Sequence, residues 1–526
     1  MTSRWAVLPC FLFALCGRAE EPRELWLYYP VNLQVEQNVV ALEKVWLRAA
    51  AAGYTQVMLT DSKFARLGDL GGMEKTYFNN VERVKRLAAE LKLQLVPTLF
   101  HIGWSNNMLW HNPNLAEGLP VKDAPFVVRD GQAVPVGEPA VRLGKPDWKD
   151  DTVKVEGETA TVSDAVGNAR FVFNRTLPKF RSYHLSVGIK AEAFRGTPEI
   201  KVLAGNRSLQ YQNLDVRRTQ ALTRYDVVFN TLDNVKVAIY FGAWGGGKGS
   251  LVWQAWTIEE AGLVNVLRRP GAPLTVCGED GRTFVEGKDF EPVADPKLGS
   301  TPYNGEYEAW HAAPAIHTRL PEGTRLRVSW YHPAIIYNGA VMVCVSEPQT
   351  DALLQDEARR MRAAWGTKRY MMAHDEIRML NRDAACESRN LGAGALLATQ
   401  VKRCADLLAG SDVYVWSDMF DPVHNARDGY YLVRGDLTGS WEGLDPSVTV
   451  VNWNFDKRDA SLKFFAERGH RQVIAGYYDA PPERVKAWLD AAAKVKGVVG
   501  VMYTSWRDNY DDMETFARLV RQKVGQ

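Results

Sequence analysis

The feature that most constrains this chain is an alternation of short apolar runs with longer amphipathic segments, found in two separate parts of the sequence. The apolar runs begin near Leu25, Gln56, Leu93, Tyr370, Asp412, Thr449, Gln472 and Val498. The segments between them carry apolar residues at helical spacing, as at Val39, Leu42 and Trp46. Strands that alternate with helices indicate parallel β/α units, and eight such units predict an α/β chain with a closed (β/α)8 barrel, the TIM barrel.

The alternation is interrupted after the third predicted strand. Residues 140–262 carry apolar residues with a period of two, as in residues 169–173, and turn signals separate these stretches. This pattern predicts an inserted all-β sandwich. Residues 263–324 predict a small β appendage and a return linker, so the barrel itself is assigned to residues 20–139 and 325–526.

Residues 1–19 predict a secretory signal peptide rather than a part of the folded chain. Arg4 precedes an apolar stretch from Trp5 to Cys16, and small residues follow from Gly17. A basic start, an apolar core and a small-residue exit are typical of such signals. The expected location is therefore the periplasm or the exterior of the cell.

The charge balance, the apolar run lengths and the motifs of the chain argue against several classes of partner and cofactor. The chain has 64 basic and 62 acidic residues and a formal net charge of +2, which disfavours a nucleic-acid-binding surface. No apolar run reaches the roughly 20 residues that a transmembrane helix needs. Signatures of nucleotide and flavin binding are missing as well, so no cofactor is expected. The sequence leaves the oligomeric state open.

Four cysteines follow the predicted signal peptide: Cys277, Cys344, Cys386 and Cys404. Their wide spacing shows none of the paired patterns typical of zinc sites, so the sequence predicts no metal site. A disulfide between two of them would suit an oxidising compartment, but the spacing does not select a pair.

Polar and aromatic residues follow every predicted barrel strand, and functional side chains of such barrels collect at the carboxyl ends of the strands. The candidates for substrate binding or catalysis are Tyr28, Asp61, His101, Trp104, His374, Asp375, Glu376, Arg378, Trp416, Asp418, Trp453, Tyr477, Tyr503, Trp506 and Asp508. Carboxylates beside Trp and Tyr suit saccharides, because sugar C–H faces pack on aromatic rings while the hydroxyls need polar partners. Cleavage of a glycosidic bond needs a protonated carboxylic acid and a negative group near the oxocarbenium-like centre. The expected partner is therefore an oligosaccharide or polysaccharide.

An Asp-Glu dipeptide, Asp375-Glu376, comes directly after the apolar strand that begins near Tyr370. Here the barrel portion of the chain resembles the hexosaminidases of glycoside hydrolase family 20 and related substrate-assisted enzymes. The resemblance implies that Glu376 is the general acid/base. It also implies that Asp375 orients the 2-acetamido group of the substrate, whose carbonyl oxygen is the nucleophile. The implied activity is exo-acting, retaining hydrolysis of terminal 2-acetamido sugars.

The same resemblance extends to the last predicted strand. Tyr503 and Trp506 resemble the aromatic residues that wall the pocket in that family, and Asp508 resembles its acidic hydroxyl-binding residue. Aromatic surroundings are expected to desolvate Glu376 and favour its protonated form. Neighbouring strand residues point to opposite sides, so Asp375 and Glu376 can enter one pocket only if the strand bends there.

Several alternatives stay open at this point. One is an ordinary two-carboxylate retaining glycosidase with Glu376 as the acid and Asp418 or Asp479 as the nucleophile. Another is a non-catalytic glycan-binding protein on a decayed barrel. Glu376 and Arg378 also fit a surface ion pair, and His374 fits a structural histidine.

Three tryptophans of the predicted sandwich lie near a glycine-rich turn: Trp244, Trp253 and Trp256. In this respect the segment looks like the carbohydrate-binding sandwiches, or modules, appended to secreted glycosidases. Trp253 and Trp256 are three residues apart, so on a regular strand they face opposite sides and at least one belongs to the core.

Overall fold

The computed structural model describes residues 24–137, 141–299 and 307–524. The predicted signal peptide at residues 1–19 lies outside the described residues. Eight parallel strands close into a barrel, pairing in chain order with the last strand beside the first. They are β1 (Glu24–Pro30), β2 (Gln56–Thr60), β3 (Gln94–Leu99), β4 (Arg369–Met372), β5 (Asp412–Trp416), β6 (Thr449–Asn452), β7 (Gln472–Ala475) and β8 (Val498–Tyr503). The prediction of a closed eight-stranded barrel is confirmed, with every predicted strand start at most one residue from the observed one.

The barrel strands follow the period of two that strand geometry imposes. In β1, Trp26 and Tyr28 belong to a central cluster with residues of the other barrel strands, such as Met502. Their neighbours Leu27 and Tyr29 belong instead to the large core that includes the helices. Both faces of these strands are therefore buried, as parallel sheets require.

Eight helices belong to the described part of the chain. They are α1 (Glu36–Ala51), α2 (Glu74–Glu90), α3 (Pro348–Trp365), α4 (Ala384–Glu387), α5 (Ala393–Leu407), α6 (Arg458–Glu467), α7 (Val485–Ala492) and α8 (Met513–Val524). Helix α3 shows typical end signals, with Pro348 in its first turn and Gly366 in the left-handed conformation just after it. Within the described residues, no helix has the length and apolar character that a membrane crossing needs.

Between β3 and β4 the chain forms a nine-stranded antiparallel sheet. Its strands are Val141–Arg142, Trp148–Lys149, Val153–Glu156, Thr159–Val166, Ala169–Thr176, Ser182–Ala204, Arg207–Asn213, Gln220–Asn230 and Lys236–Glu260. Trp253 and Trp256 are both buried and both contact Phe171. They share one side because the pairing register shifts there and Ala255 has a φ of 55°, which marks a bulge. Neither ring is therefore available to a ligand.

A six-stranded antiparallel sheet also lies between β3 and β4 in the chain. Its strands are Leu119–Arg129, Gln132–Pro135, Thr275–Gly278, Thr283–Phe284, Ile316–His317 and Arg325–His332. The observed sheet is larger than the predicted appendage of residues 263–324, because Leu119–Arg129 and Arg325–His332 pair with each other. These two strands fall in segments that the sequence assigned to the barrel, since their apolar periodicity does not identify the sheet they join.

Candidate functional site

The Asp375-Glu376 pair lies just beyond the end of β4. The strand ends at Met372, and Glu376 adopts the left-handed conformation with a φ of 49°. That conformation is uncommon for a residue other than glycine. Because Asp375 and Glu376 lie beyond the regular strand, their side chains need not point to opposite sides as neighbouring strand residues do, and both line one cavity.

The cavity has a volume of about 400 Å³, within the usual range for a small-molecule site. Its walls come from the carboxyl ends of β4 to β8 and from one segment of the antiparallel insert. The lining residues are Tyr337, Asp375, Glu376, Trp416, Trp453, Tyr478, Asp479, Trp506 and Arg507. Of the predicted site residues besides the acidic pair, Trp416, Trp453 and Trp506 line this cavity together.

Aromatic rings form a continuous wall of the cavity. Trp453 and Tyr478 are stacked, with centroids 5.7 Å apart and planes 8° apart. Trp506 contacts both Tyr478 at 6.0 Å and Trp416 at 5.9 Å. Trp506 is 44% exposed and Tyr478 is 39% exposed, so both offer ring surface to a ligand. Asp479 orients the segment by accepting hydrogen bonds from Ser505 Oγ and the Trp506 amide, each at 2.7 Å.

Asp418 is completely buried beside the acidic pair. Its carboxylate accepts hydrogen bonds from the Glu376 amide at 2.8 Å, from Asn425 Nδ2 at 2.9 Å and from Trp453 Nε1 at 3.3 Å. Asp418 is therefore a positioning residue, which fixes the backbone of Glu376 and the ring of Trp453. Burial, with a contribution from the Glu376 carboxylate, raises the pKa of Asp418 from 3.8 to about 7.

Asp375 is also protonated more readily than an ordinary aspartate. Burial, together with the carboxylates of Asp418 and Glu376, raises the pKa of Asp375 from 3.8 to about 7. Like charges so close cannot all ionise at low cost. The cluster therefore retains a proton near neutral pH, which is what a group that transfers protons requires.

Glu376 is in a different environment from the two aspartates. Arg378 Nη2 donates to Glu376 Oε2 at 2.7 Å, and the Glu376 side chain is 39% exposed. The Arg378 side chain is buried, with its guanidinium 4.3 Å from the centroid of the Tyr337 ring. The ion pair expected from the sequence is thus present at the cavity. Glu376 lines the same cavity as several aromatic rings, but its side chain is only partly enclosed.

Gly103, in the loop after β3, packs against the backbone of the acidic pair. A Cβ atom at this position would lie 1.8 Å from the carbonyl oxygen of Asp375. Only glycine allows the loop to approach so closely. Nothing in the sequence singles out Gly103, because a lone glycine in a loop carries no signal of what it contacts.

Three further residues that line the cavity, Tyr337, Tyr478 and Arg507, were not among the candidates chosen from the sequence. Tyr478 and Arg507 each follow a chosen candidate directly, so a choice of whole strand ends would have included them. Tyr337 comes from the antiparallel insert, where its amide donates to the Tyr211 carbonyl at 2.6 Å. No sequence signal connects Tyr337 with the barrel.

Two predicted residues lie beside the cavity. Tyr28 is buried but contacts Trp506 at 5.0 Å and Trp416 at 6.1 Å between ring centroids. Asp508 is exposed and has a φ of 52°. Partial desolvation of its carboxyl group and the Asp479 carboxylate raise the pKa of Asp508. Both remain predictions as substrate-binding residues.

Other predicted site residues are engaged elsewhere and do not line this cavity. Asp61 is buried and accepts hydrogen bonds from the Leu33 amide at 2.9 Å and Tyr77 Oη at 3.0 Å. His374 is buried with its Nε2 atom 2.8 Å from Gln400 Oε1. Burial lowers the pKa of His374 to about 4, so the ring is neutral near pH 7. These contacts are those of structural residues.

The remaining candidates also lie outside the wall of the cavity. His101 Nε2 lies 3.1 Å from Thr60 Oγ1, and Trp104 is 41% exposed. Tyr503 is buried and donates to the Asn509 carbonyl at 2.9 Å. Tyr477 stacks on Tyr503 and lines an adjacent cavity of about 220 Å³ that shares Trp453 and Tyr478 with the first.

Among the described residues, one group of His, Cys, Asp and Glu side chains is compact enough to share a metal ion, and it lies outside this cavity. The cavity itself is lined by aromatic and acidic side chains. The groups available for chemistry in the cavity are a proton held by clustered carboxyl groups, a carboxylate paired with an arginine, and exposed aromatic rings.

No protein-family model matches this chain, and no curated protein matches it significantly. Parts of it are similar to solved structures of carbohydrate-binding modules. One is described as CBM4 structure and function, with 16% identity, 22% of this chain and 77% of that chain covered, and a TM-score of 0.18. Another is the C-terminal CBM6 of LamC, a marine laminarinase from Zobellia galactanivorans, with 16% identity, 22% and 92% covered, and a TM-score of 0.17.

A third is the CBM22-1 xylan-binding domain of Xyn10C from Paenibacillus barcinonensis, with 12% identity, 28% of this chain and 97% of that chain covered, and a TM-score of 0.17. TM-scores this low carry no argument about fold or function. The functional conclusion therefore depends on the cavity itself.

Proposed function

We propose that this protein is a secreted glycoside hydrolase that removes terminal 2-acetamido sugars, with the barrel of the (β/α)8 type and the antiparallel sheets inserted after its third strand. One observation carries the proposal: Asp375 and Glu376 open into one aromatic-walled cavity at the carboxyl ends of the barrel strands. Active sites of such barrels lie at that face. The predicted signal peptide supports a location outside the cytoplasm.

In the proposed reaction, a terminal sugar ring packs on the exposed faces of Trp506 and Tyr478. Glu376 donates a proton to the glycosidic oxygen as the bond to the anomeric carbon breaks. Arg378 stabilises the carboxylate that remains on Glu376. That carboxylate then removes a proton from the attacking water, which restores the starting state.

The 2-acetamido group is assigned to Asp375, following the resemblance to substrate-assisted hexosaminidases. Its carboxylate accepts a hydrogen bond from the acetamido N–H, so that the acetamido oxygen can attack the anomeric carbon. The cyclic intermediate is opened by water, and the configuration at the anomeric carbon is retained. This scheme needs no second carboxylate as the nucleophile.

A second assignment of roles is favoured by the pKa of Asp375. Because that pKa is raised to about 7, Asp375 could be the proton donor, with the Arg378-paired Glu376 as the nucleophile of an ordinary retaining glycosidase. Asp418 and Asp479 fit the nucleophile less well, since Asp418 accepts three hydrogen bonds and Asp479 two.

The test is hydrolysis of a panel of nitrophenyl glycosides, with and without a 2-acetamido group, by wild type, Glu376→Gln and Asp375→Asn. Glu90→Gln, at the exposed end of α2, is the matched control. The proposal predicts turnover of the 2-acetamido substrates, its loss in both cavity variants, and inhibition of wild type by a thiazoline mimic of the cyclic intermediate. Turnover that the thiazoline does not inhibit would support the ordinary retaining mechanism, and saccharide binding without turnover would support a glycan-binding protein.

A further inference from the structure

Four buried side chains with metal-binding atoms meet at a point where three distant parts of the chain come together. They are Glu117, Cys344, Asp383 and Cys386, each at most 1% exposed. Their candidate ligand atoms all lie within 4.8 Å of one another. Cys344 precedes α3, whereas Asp383 and Cys386 lie at the start of α4. Ionisable groups buried together in this way are usually paired or bound to a metal.

The distances in this cluster fit a tetrahedral metal ion. The two Sγ atoms are 3.7 Å apart, Cys344 Sγ is 3.4 Å from Asp383 Oδ1, and Cys386 Sγ is 3.3 Å from Glu117 Oε2. With Zn–S bonds of about 2.3 Å and Zn–O bonds of about 2.0 Å, a regular tetrahedron places two sulfurs about 3.8 Å apart and a sulfur and an oxygen about 3.5 Å apart. The side chains therefore already have nearly the required spacing.

Hydrogen bonds from outside the cluster hold both carboxylates in place. Glu117 Oε1 accepts from the amides of Arg382 at 2.5 Å and Asp383 at 3.3 Å. Asp383 Oδ2 accepts from the Gly118 amide at 3.3 Å and from Arg269 Nη2 at 2.6 Å. In both residues the second oxygen faces a sulfur. Such outer hydrogen bonds orient metal ligands and are typical of built metal sites.

The charges of the cluster also suit a divalent cation. Two thiolates and two carboxylates carry four negative charges, and Arg269 supplies one positive charge from an ion pair with Asp383. Arg269 is shared with Glu347, so its charge does not belong to the cluster alone. A divalent ion would offset two of the four negative charges, which would otherwise repel one another at close range. Two sulfur ligands favour zinc over magnesium or calcium, which prefer oxygen.

We propose that Glu117, Cys344, Asp383 and Cys386 bind one structural zinc ion. Four protein ligands complete a tetrahedral coordination and leave no position open for a substrate, which is typical of structural sites. The ion would connect the segments before the six-stranded sheet, before α3 and after β4. The last of these also carries Asp375 and Glu376, so the ion would anchor one end of the segment that forms the cavity. The proposal is independent of the proposed hydrolase activity. It departs from the sequence-based expectation of no metal site, because Glu117 and Cys344 are 227 positions apart and Cys344 and Asp383 are 39 positions apart.

The test is the metal content of the full-length protein, measured by elemental mass spectrometry after dialysis. The expected result is one zinc per chain, lost in Cys386→Ser and retained in Cys277→Ser, since Cys277 lies in the six-stranded sheet away from the cluster. If Cys386→Ser does not fold, removal of zinc from wild type by a chelator and titration with Co²⁺ decide the question. Binding of one Co²⁺ with a thiolate charge-transfer band, together with a Tm that falls on chelation and recovers with zinc, would support the proposal.

Two results would overturn it. One is wild-type protein that contains no zinc and does not bind Co²⁺, with both thiols reactive once the chain is unfolded, because the cluster would then be a set of hydrogen-bonded thiols. The other is a Cys344–Cys386 disulfide found by mass spectrometry of a non-reduced digest, because the thiolates would then not be available to a metal.

Discussion

Gly103→Ala offers a selective way to move the acidic pair without altering any of its side chains. The backbone of Gly103 does not have the positive φ that disfavours alanine, so the added methyl group acts only through space. That methyl carbon would lie 1.8 Å from the Asp375 carbonyl oxygen, whereas a close carbon–oxygen contact is about 3.3 Å. Either the loop backbone at Gly103 or the backbone at Asp375 must therefore move by about 1.5 Å.

The size of this shift determines the expected loss of catalytic rate. Misplacement of a reacting group by about 1 Å can cost about 100-fold in rate, which corresponds to about 2.7 kcal/mol of transition-state stabilisation. Forcing an extra methyl group into a packed site also destabilises the fold by about 1–3 kcal/mol. We expect kcat/KM for the best aryl glycoside to fall about 100-fold in Gly103→Ala, with a modest decrease in Tm.

The matched control is Gly72→Ala, because a methyl group there meets nothing within 4 Å. Its activity and Tm should stay at the wild-type values. Steady-state kinetics and thermal unfolding monitored by circular dichroism give both numbers. Wild-type activity in a folded Gly103→Ala protein would show that the position of Asp375 and Glu376 does not matter for the reaction, and would refute the reasoning.

Three further variants test the electrostatics and the aromatic wall. The raised pKa of Asp375 means that the native state keeps a proton that the unfolded state releases, so its contribution to stability falls as pH rises from about 4 to about 7. Asp375→Asn should therefore be more stable than wild type by about 2–4 kcal/mol at pH 8 and lose this advantage near pH 4, as measured by urea unfolding at both pH values. Asp418→Asn leaves at least one of the three donors around Asp418 without an acceptor, so we expect Glu376 and Trp453 to be less well positioned and kcat to fall; an unchanged kcat would contradict its positioning role. Trp453→Ala removes one face of the aromatic wall and should raise the saccharide Kd about tenfold, measured by calorimetry in an inactive background.

Much of the barrel could be predicted because its signals are local. Short apolar runs identify strands such as β1, and apolar residues at a spacing of about 3.6 identify helices such as α1, without knowledge of what they contact. The six-stranded sheet was harder, because Val121 pairs with Trp330, more than 200 residues away. Nothing in either segment alone indicates that partner.

The sequence predicts which strand ends carry candidate site residues, but not which of those side chains face the cavity. Trp416 and Trp506 line the cavity as expected, whereas Asp61 and His374 follow strands equally closely but form structural hydrogen bonds. The side to which a residue turns after a strand depends on the loop conformation, here the positive φ of Glu376. That conformation is set by tertiary contacts rather than by local propensity.

The central claim is that Glu376 gives a proton to the departing glycosidic oxygen. The most direct test is the dependence of kcat/KM on the leaving group for aryl 2-acetamido glycosides, compared between wild type and Glu376→Gln. We expect the variant to be little impaired with a dinitrophenyl leaving group, which needs no proton, and impaired by about 10²–10⁴-fold with poor leaving groups. An equal loss for every leaving group, or the same dependence in Asp375→Asn instead, would contradict the account.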